Sequence, residues 1–152
     1  MENKKLEIEK ISYWKTSKSS PDTWLDRTVK LIEDYGGTLL NQVQGTDHTT
    51  GNAAFMIIFK LEGSTFKVIF PVLKPKNQSD MKAAKIQAAT ILYHDIKARL
   101  VSSIILGARN VFFGNLLLDD GMTAAELENP RLSIKKIFSL ASGEVVDGEF
   151  EE

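Results

Sequence analysis

Apolar and charged positions alternate through Leu6, Ile8 and the approach to Tyr13 and Trp14, a spacing that predicts a short edge strand over Leu6 to Ile11. From Pro21 the period lengthens. Trp24, Leu25, Thr28, Leu31 and Ile32 recur at helical spacing, Ser20 stands where a cap accepts a free N–H, Pro21 suits the first helical position and Asp22 lies at the positive end of the dipole. Gly36 and Gly37 supply the left-handed geometry that ends such a segment, so a helix is expected over Pro21 to Tyr35. Three strands are expected next: Thr38 to Gln44, Ala53 to Leu61 and Thr65 to Leu73. The turn-rich stretch Gly45 to Asn52 joins the first two, and Glu62, Gly63 and Ser64 join the last two as a tight hairpin. Pro71 cannot donate to a central ladder, which sends the end of the third strand to a sheet edge or a bulge.

After Pro75, Ser79 and Asp80 open a helix expected from Met81 to Leu106 and stopped by Gly107. At about 3.6 residues per turn, Ile86, Ala89, Tyr93, Ile96, Leu100 and Ile104 form one apolar stripe, with Ala84, Ala88, Ile91, Ala98, Ser102 and Ile105 roughly opposite. A helix apolar on two sides needs covering on two sides, by its own sheet and by another element or another subunit. Gln87, Thr90, His94 and Lys97 form a polar seam between the stripes. A further helical segment is expected within Arg109 to Leu118, then an Asp119, Asp120, Gly121 turn and short helices over Thr123 to Glu128 and Ser133 to Leu140, divided by Pro130. The fold class is therefore α+β: strand, helix, three-stranded antiparallel meander, long helix and short C-terminal helices. One domain is expected over residues 1–140, followed by an acidic tail over 141–152 that reads as disordered.

Composition narrows the setting. A chain of 152 residues that is 43% hydrophobic can bury one real core. The absence of cysteine excludes disulfides, thiolate zinc sites and thiol nucleophiles, and suits a reducing compartment. Residues 1–10 alternate charges with no apolar run behind them, and no stretch reaches the roughly 18 apolar residues of a membrane span. A cytoplasmic, non-membrane protein is expected.

Charge is more informative. The formal net charge is −1, yet Lys60 to Arg109 holds nine Lys or Arg against Glu62, Asp80 and Asp95, while the nine residues from Glu144 to Glu152 hold five carboxylates and no base. Cations gathered against one part of a near-neutral chain are how a nucleic-acid footprint looks in sequence; the plainer reading is solvated surface. The expected contacts are Lys60 and Lys67 on the sheet, Lys74, Lys76, Lys82 and Lys85 around its junction with the long helix, and Lys97 and Arg99 farther along. Tyr93, Phe66 and Phe70 have the spacing of core residues more than of base-stacking ones. The acidic tail can occupy the basic segment, recruit a protein partner, or simply solubilise the chain.

Other chemistries find little to stand on. His48 and His94 lack companions at ligand spacing, and Asp119 with Asp120 and a distant Glu62 would make only the skeleton of a magnesium-dependent nuclease in what reads as a turn. No phosphate-binding glycine loop and no ordered Ser, His and Asp set is present. Asp95 on the long helix needs a partner, and Arg99 one turn later is the obvious one. No catalytic residues, metal, cofactor or use of ATP is expected, and the chain does not read as an enzyme.

The element order is that of double-stranded-RNA-binding domains and of the single-strand annealing proteins of homologous recombination. The hairpin Phe59, Lys60, Leu61, Glu62, Gly63, Ser64, Thr65, Phe66, the basic helix start Lys82 to Lys85, and Phe113, Gly114, Asn115, Leu116 before Asp119 and Asp120 resemble the annealing-recombinase domain of eukaryotes and its phage counterparts, over about residues 20–128. The chain departs from that pattern in placing Gly107 farther along the long helix and in having fewer basic residues. The resemblance implies a homo-oligomeric ring or filament that binds single-stranded DNA and anneals it to a complement without ATP, in recombination or repair. A double-stranded-RNA-binding module and a structural or adaptor oligomer without nucleic-acid affinity are the alternatives.

Overall fold

The computed structural model describes residues 6–15, 18–46, 49–118, 121–123 and 125. Helix α1 spans Pro21–Asp34; the Ser20 side chain accepts from the Thr23 N–H at 3.2 Å and Pro21 takes the first position. Gly36 follows at φ +89°. A Cβ on Gly37 would stand 2.6 Å from Ile32 Cγ2 and 3.2 Å from the Lys60 carbonyl, so the double glycine both ends the helix and lets the chain turn tightly onto the sheet.

Strands β1 (Thr38–Thr46), β2 (Ala53–Leu61) and β3 (Ser64–Val72) form an antiparallel sheet in the order β1-β2-β3. The two-residue turn between β2 and β3 puts Glu62 at φ 50° and Gly63 at φ 79°, the backbone that matches the twist of paired strands. Because side chains alternate, Phe55, Ile57 and Phe59 share one face with their partners Phe70, Val68 and Phe66. That face carries the core, closed by Leu25 and Ile32 of α1, by Ala84, Ala88, Leu92, Ile96 and Leu100 of helix α2 (Met81–Leu106), and by Phe112. The rings of Phe59, Phe66 and Phe112 lie 5.4–5.7 Å apart. Both long helices thus lie on one side of the sheet, α1 under β1 and α2 under β3, packed against each other.

β3 is an edge strand, as Pro71 requires; beside it Leu116 forms a bridge with Phe66, and Leu117 donates to the Thr65 carbonyl at 3.0 Å. The chain reaches that edge through Gly107, the short helix α3 (Ala108–Val111) and a 3-10 turn at Phe113–Asn115, a more broken path than one helical segment over Arg109 to Leu118.

The expected N-terminal strand does not form. Ile8–Lys10 is a 3-10 turn, and residues 6–15 lie as a strap across the first half of α2, held where Gln87 Nε2 meets the carbonyls of Ile8, Ile11 and Ser12 at 3.2–3.3 Å. Ile8 is the one buried side chain of that turn, and a lone apolar anchor fits a turn better than a ladder. Of the expected helix Thr123 to Glu128 only Thr123 and Ala125 are described, and Thr123 bridges to Leu117. Ser133 to Leu140 and the tail from Ala141 lie outside the described residues.

Candidate nucleic-acid interface

The eight candidate cations fall into separate settings. Lys74, Lys76, Lys82 and Lys85 follow one another along the connection from β3 into α2, at the end of the sheet away from the β2–β3 turn. Lys74, Lys76 and Lys82 are exposed and Lys85 is half-buried. The Lys74 ammonium donates to the Thr50 carbonyl, a neutral partner that leaves its charge uncancelled.

Two acids at this end are engaged with other cations. Glu7 holds Lys10 at 2.8 Å, a contact that raises the Lys10 ammonium above its ordinary pKa through the hydrogen bond and then the charge of Glu7. Asp80 precedes α2 without capping it and instead holds Lys15 at 3.0 Å. Glu9 accepts from the Lys76 backbone N–H at 3.4 Å, and Asp22, at the same end of the sheet beside β1, accepts from Gln44 Nε2 at 2.6 Å.

Lys60 and Lys67 project from the outer face of the sheet, where Lys60 pairs with Thr65 and Lys67 with Ile58. Lys60 is exposed at the opposite end from the four lysines. Lys67 is 7% exposed and donates to the Gly121 carbonyl at 3.0 Å, so its ammonium ties down the segment beside β3 and does not face solvent. The Asn115 side chain reinforces that seam by donating to the Lys67 carbonyl at 3.1 Å.

Arg99 is also engaged internally. It meets Asp95 at 2.5 Å, donates to Asn115 Oδ1 at 2.6 Å and lies over the Phe112 ring at 5.0 Å, joining α2 to the turn that follows it. Lys97 is exposed on the other side of α2, one turn beyond His94. Four of the expected residues therefore follow one another along the β3–α2 junction, Lys60 and Lys97 lie on other elements, and Lys67 and Arg99 are taken into structural contacts.

Phe66 is fully buried, Phe70 packs against the core, and Tyr93 is half-buried between α1 and α2. Sequence reasoning did not find the ring cluster in which Tyr13, Trp24 and Tyr93 each meet His94; a Tyr-Trp pair in a charged segment and a histidine in the polar seam were its only signals. Glu62 accepts from the Ala108 backbone N–H at the start of α3, so this carboxylate has a structural use. Among the described residues no three His, Asp or Glu side chains gather as a metal ion would need, and no helix is long and apolar enough to cross a membrane.

At its C-terminal end α2 loses its cover. Ile104, Ile105 and Leu106 are 73%, 83% and 59% exposed, with Val101 and Phe113 exposed beside them. Compared with known proteins, the chain matches no family model, no curated protein and no solved structure.

Proposed function

We propose that this chain is an oligomeric single-stranded-DNA-binding and strand-annealing protein that works without ATP in recombination or repair. The observation that carries the reading is the succession of Lys74, Lys76, Lys82 and Lys85 along the β3–α2 junction, where, among the described residues, Glu7 and Asp80 are held by Lys10 and Lys15. Lysines in that state neutralise phosphates irrespective of sequence, which is what an annealing protein needs, since base edges must stay free for the complement. The exposed aliphatic end of α2 supports the oligomer: Val101, Ile104 and Ile105 share one face, and a surface of that kind marks a protein contact.

That same end also favours the second reading, a structural or adaptor oligomer whose charges are only surface. The two differ in one assay. With complementary labelled oligonucleotides and no nucleotide cofactor, an annealing protein raises the rate of duplex formation well above the spontaneous rate. An adaptor leaves the rate unchanged while light scattering still finds a defined oligomer.

A further inference from the structure

The strap over α2 ends in two residues with unusual backbones. Tyr13 has φ 69° and Lys15 has φ 53°, in the left-handed region that costs a side-chain-bearing residue about 1 kcal/mol. What these conformations hold in place lies at the surface. The Tyr13 ring lies 5.1 Å from the His94 ring and within 9° of parallel, with Tyr13 38% exposed and His94 exposed as well. Behind this pair, Trp24 of α1 tilts against Tyr93 at 5.3 Å and His94 at 5.9 Å.

Cations border the rings. The Arg27 guanidinium lies 4.8 Å over Trp24, the Lys15 ammonium 5.5 Å over Trp14, and Lys97 stands exposed one helical turn beyond His94. Through the Lys15–Asp80 contact, the strap also connects this surface to the start of α2, where Lys82 and Lys85 lie.

We propose that the stacked Tyr13–His94 pair, backed by Trp24 and Tyr93, is a platform on which unpaired bases of single-stranded DNA stack while Lys97 and Arg27 meet the flanking phosphates. The inference rests on the single-strand-binding reading above and names how the strand is held. Every base has a π-face, so stacking tolerates any sequence, and a base held by its face leaves its pairing edge open to a complement. Rings bordered by cations suit a polyanion of planar groups better than an aliphatic partner, for which the bare end of α2 is the better surface.

The test uses the full chain and two fluorescent probes of equal length and phosphate number at one salt concentration: an oligothymidylate and an abasic strand. The wild-type protein is expected to bind the base-bearing strand at least about fivefold more tightly, the scale of one base–aromatic stack. Tyr13→Leu and His94→Leu each bring the ratio of the two affinities toward one, whereas Tyr13→Phe keeps it; circular dichroism shows that the variants fold. A wild-type ratio near one, or a ratio unchanged in both Leu variants, overturns the platform and leaves single-strand binding standing. Binding of neither probe overturns that reading and the platform with it.

Discussion

Gln87 Nε2 donates to the Ile8 carbonyl at 3.2 Å, a link between residues 79 positions apart that fixes the N-terminal strap on the first half of the long helix. Gln87 is 1% exposed, and the same nitrogen faces the carbonyls of Ile11 and Ser12. Gln87→Leu keeps the volume and removes the donor, stranding strap carbonyls. The expected cost is about 2 kcal/mol in chemical unfolding, with faster amide exchange in residues 8–15. Unchanged stability and exchange would show that the strap is held by other contacts.

The lysines at the β3–α2 junction are predicted to act on DNA and not on stability. Lys82→Glu with Lys85→Glu reverses two charges on the first turns of α2. Oligonucleotide affinity, measured by fluorescence anisotropy, should fall by at least about tenfold and its salt dependence should become shallower. The unfolding midpoint should stay nearly constant. Unchanged binding would move the site elsewhere.

Lys67 is predicted to behave in the opposite way. Lys67→Met retains the apolar stem but loses the bond to the Gly121 carbonyl, so the seam beside β3 should loosen at a cost of about 1–2 kcal/mol. DNA affinity of the folded protein should change by less than about twofold, far below the loss expected for a direct partly desolvated phosphate contact. A large affinity loss without destabilisation would return Lys67 to the interface.

Ile105 is 83% exposed, so replacing it with Asp removes little from the monomer. Ile105→Asp should alter monomer stability by no more than about 0.5 kcal/mol while shifting light scattering toward smaller species. An unchanged oligomer would place the contact elsewhere.

The long helix is legible in the chain because its signals agree: the apolar stripes, Gly107 at the end and the Ser79–Asp80 start all bound Met81–Leu106. Ala53–Leu61 is equally plain, an apolar run whose burial alternates from Phe55 to Leu61 and which ends in a Glu-Gly turn. The strap is not, since alternation through Leu6 and Ile8 fits a strand locally and the 3-10 turn answers to Gln87, far away in sequence. Lys60 and Lys67 share a sheet face and look alike in pattern; what separates them is the segment at Gly121 that covers only the second. The Tyr13–His94 stack is likewise a product of tertiary folding, because the two rings belong to segments joined by no local period.

The most direct test of the central claim is a salt titration of single-stranded oligonucleotide binding. With the Lys74, Lys76, Lys82 and Lys85 group neutralising phosphates, the logarithm of the affinity should fall linearly with the logarithm of salt concentration, with a slope of about −2 to −3 at roughly −0.7 per phosphate. A slope near zero, or no binding even at low salt, would contradict it.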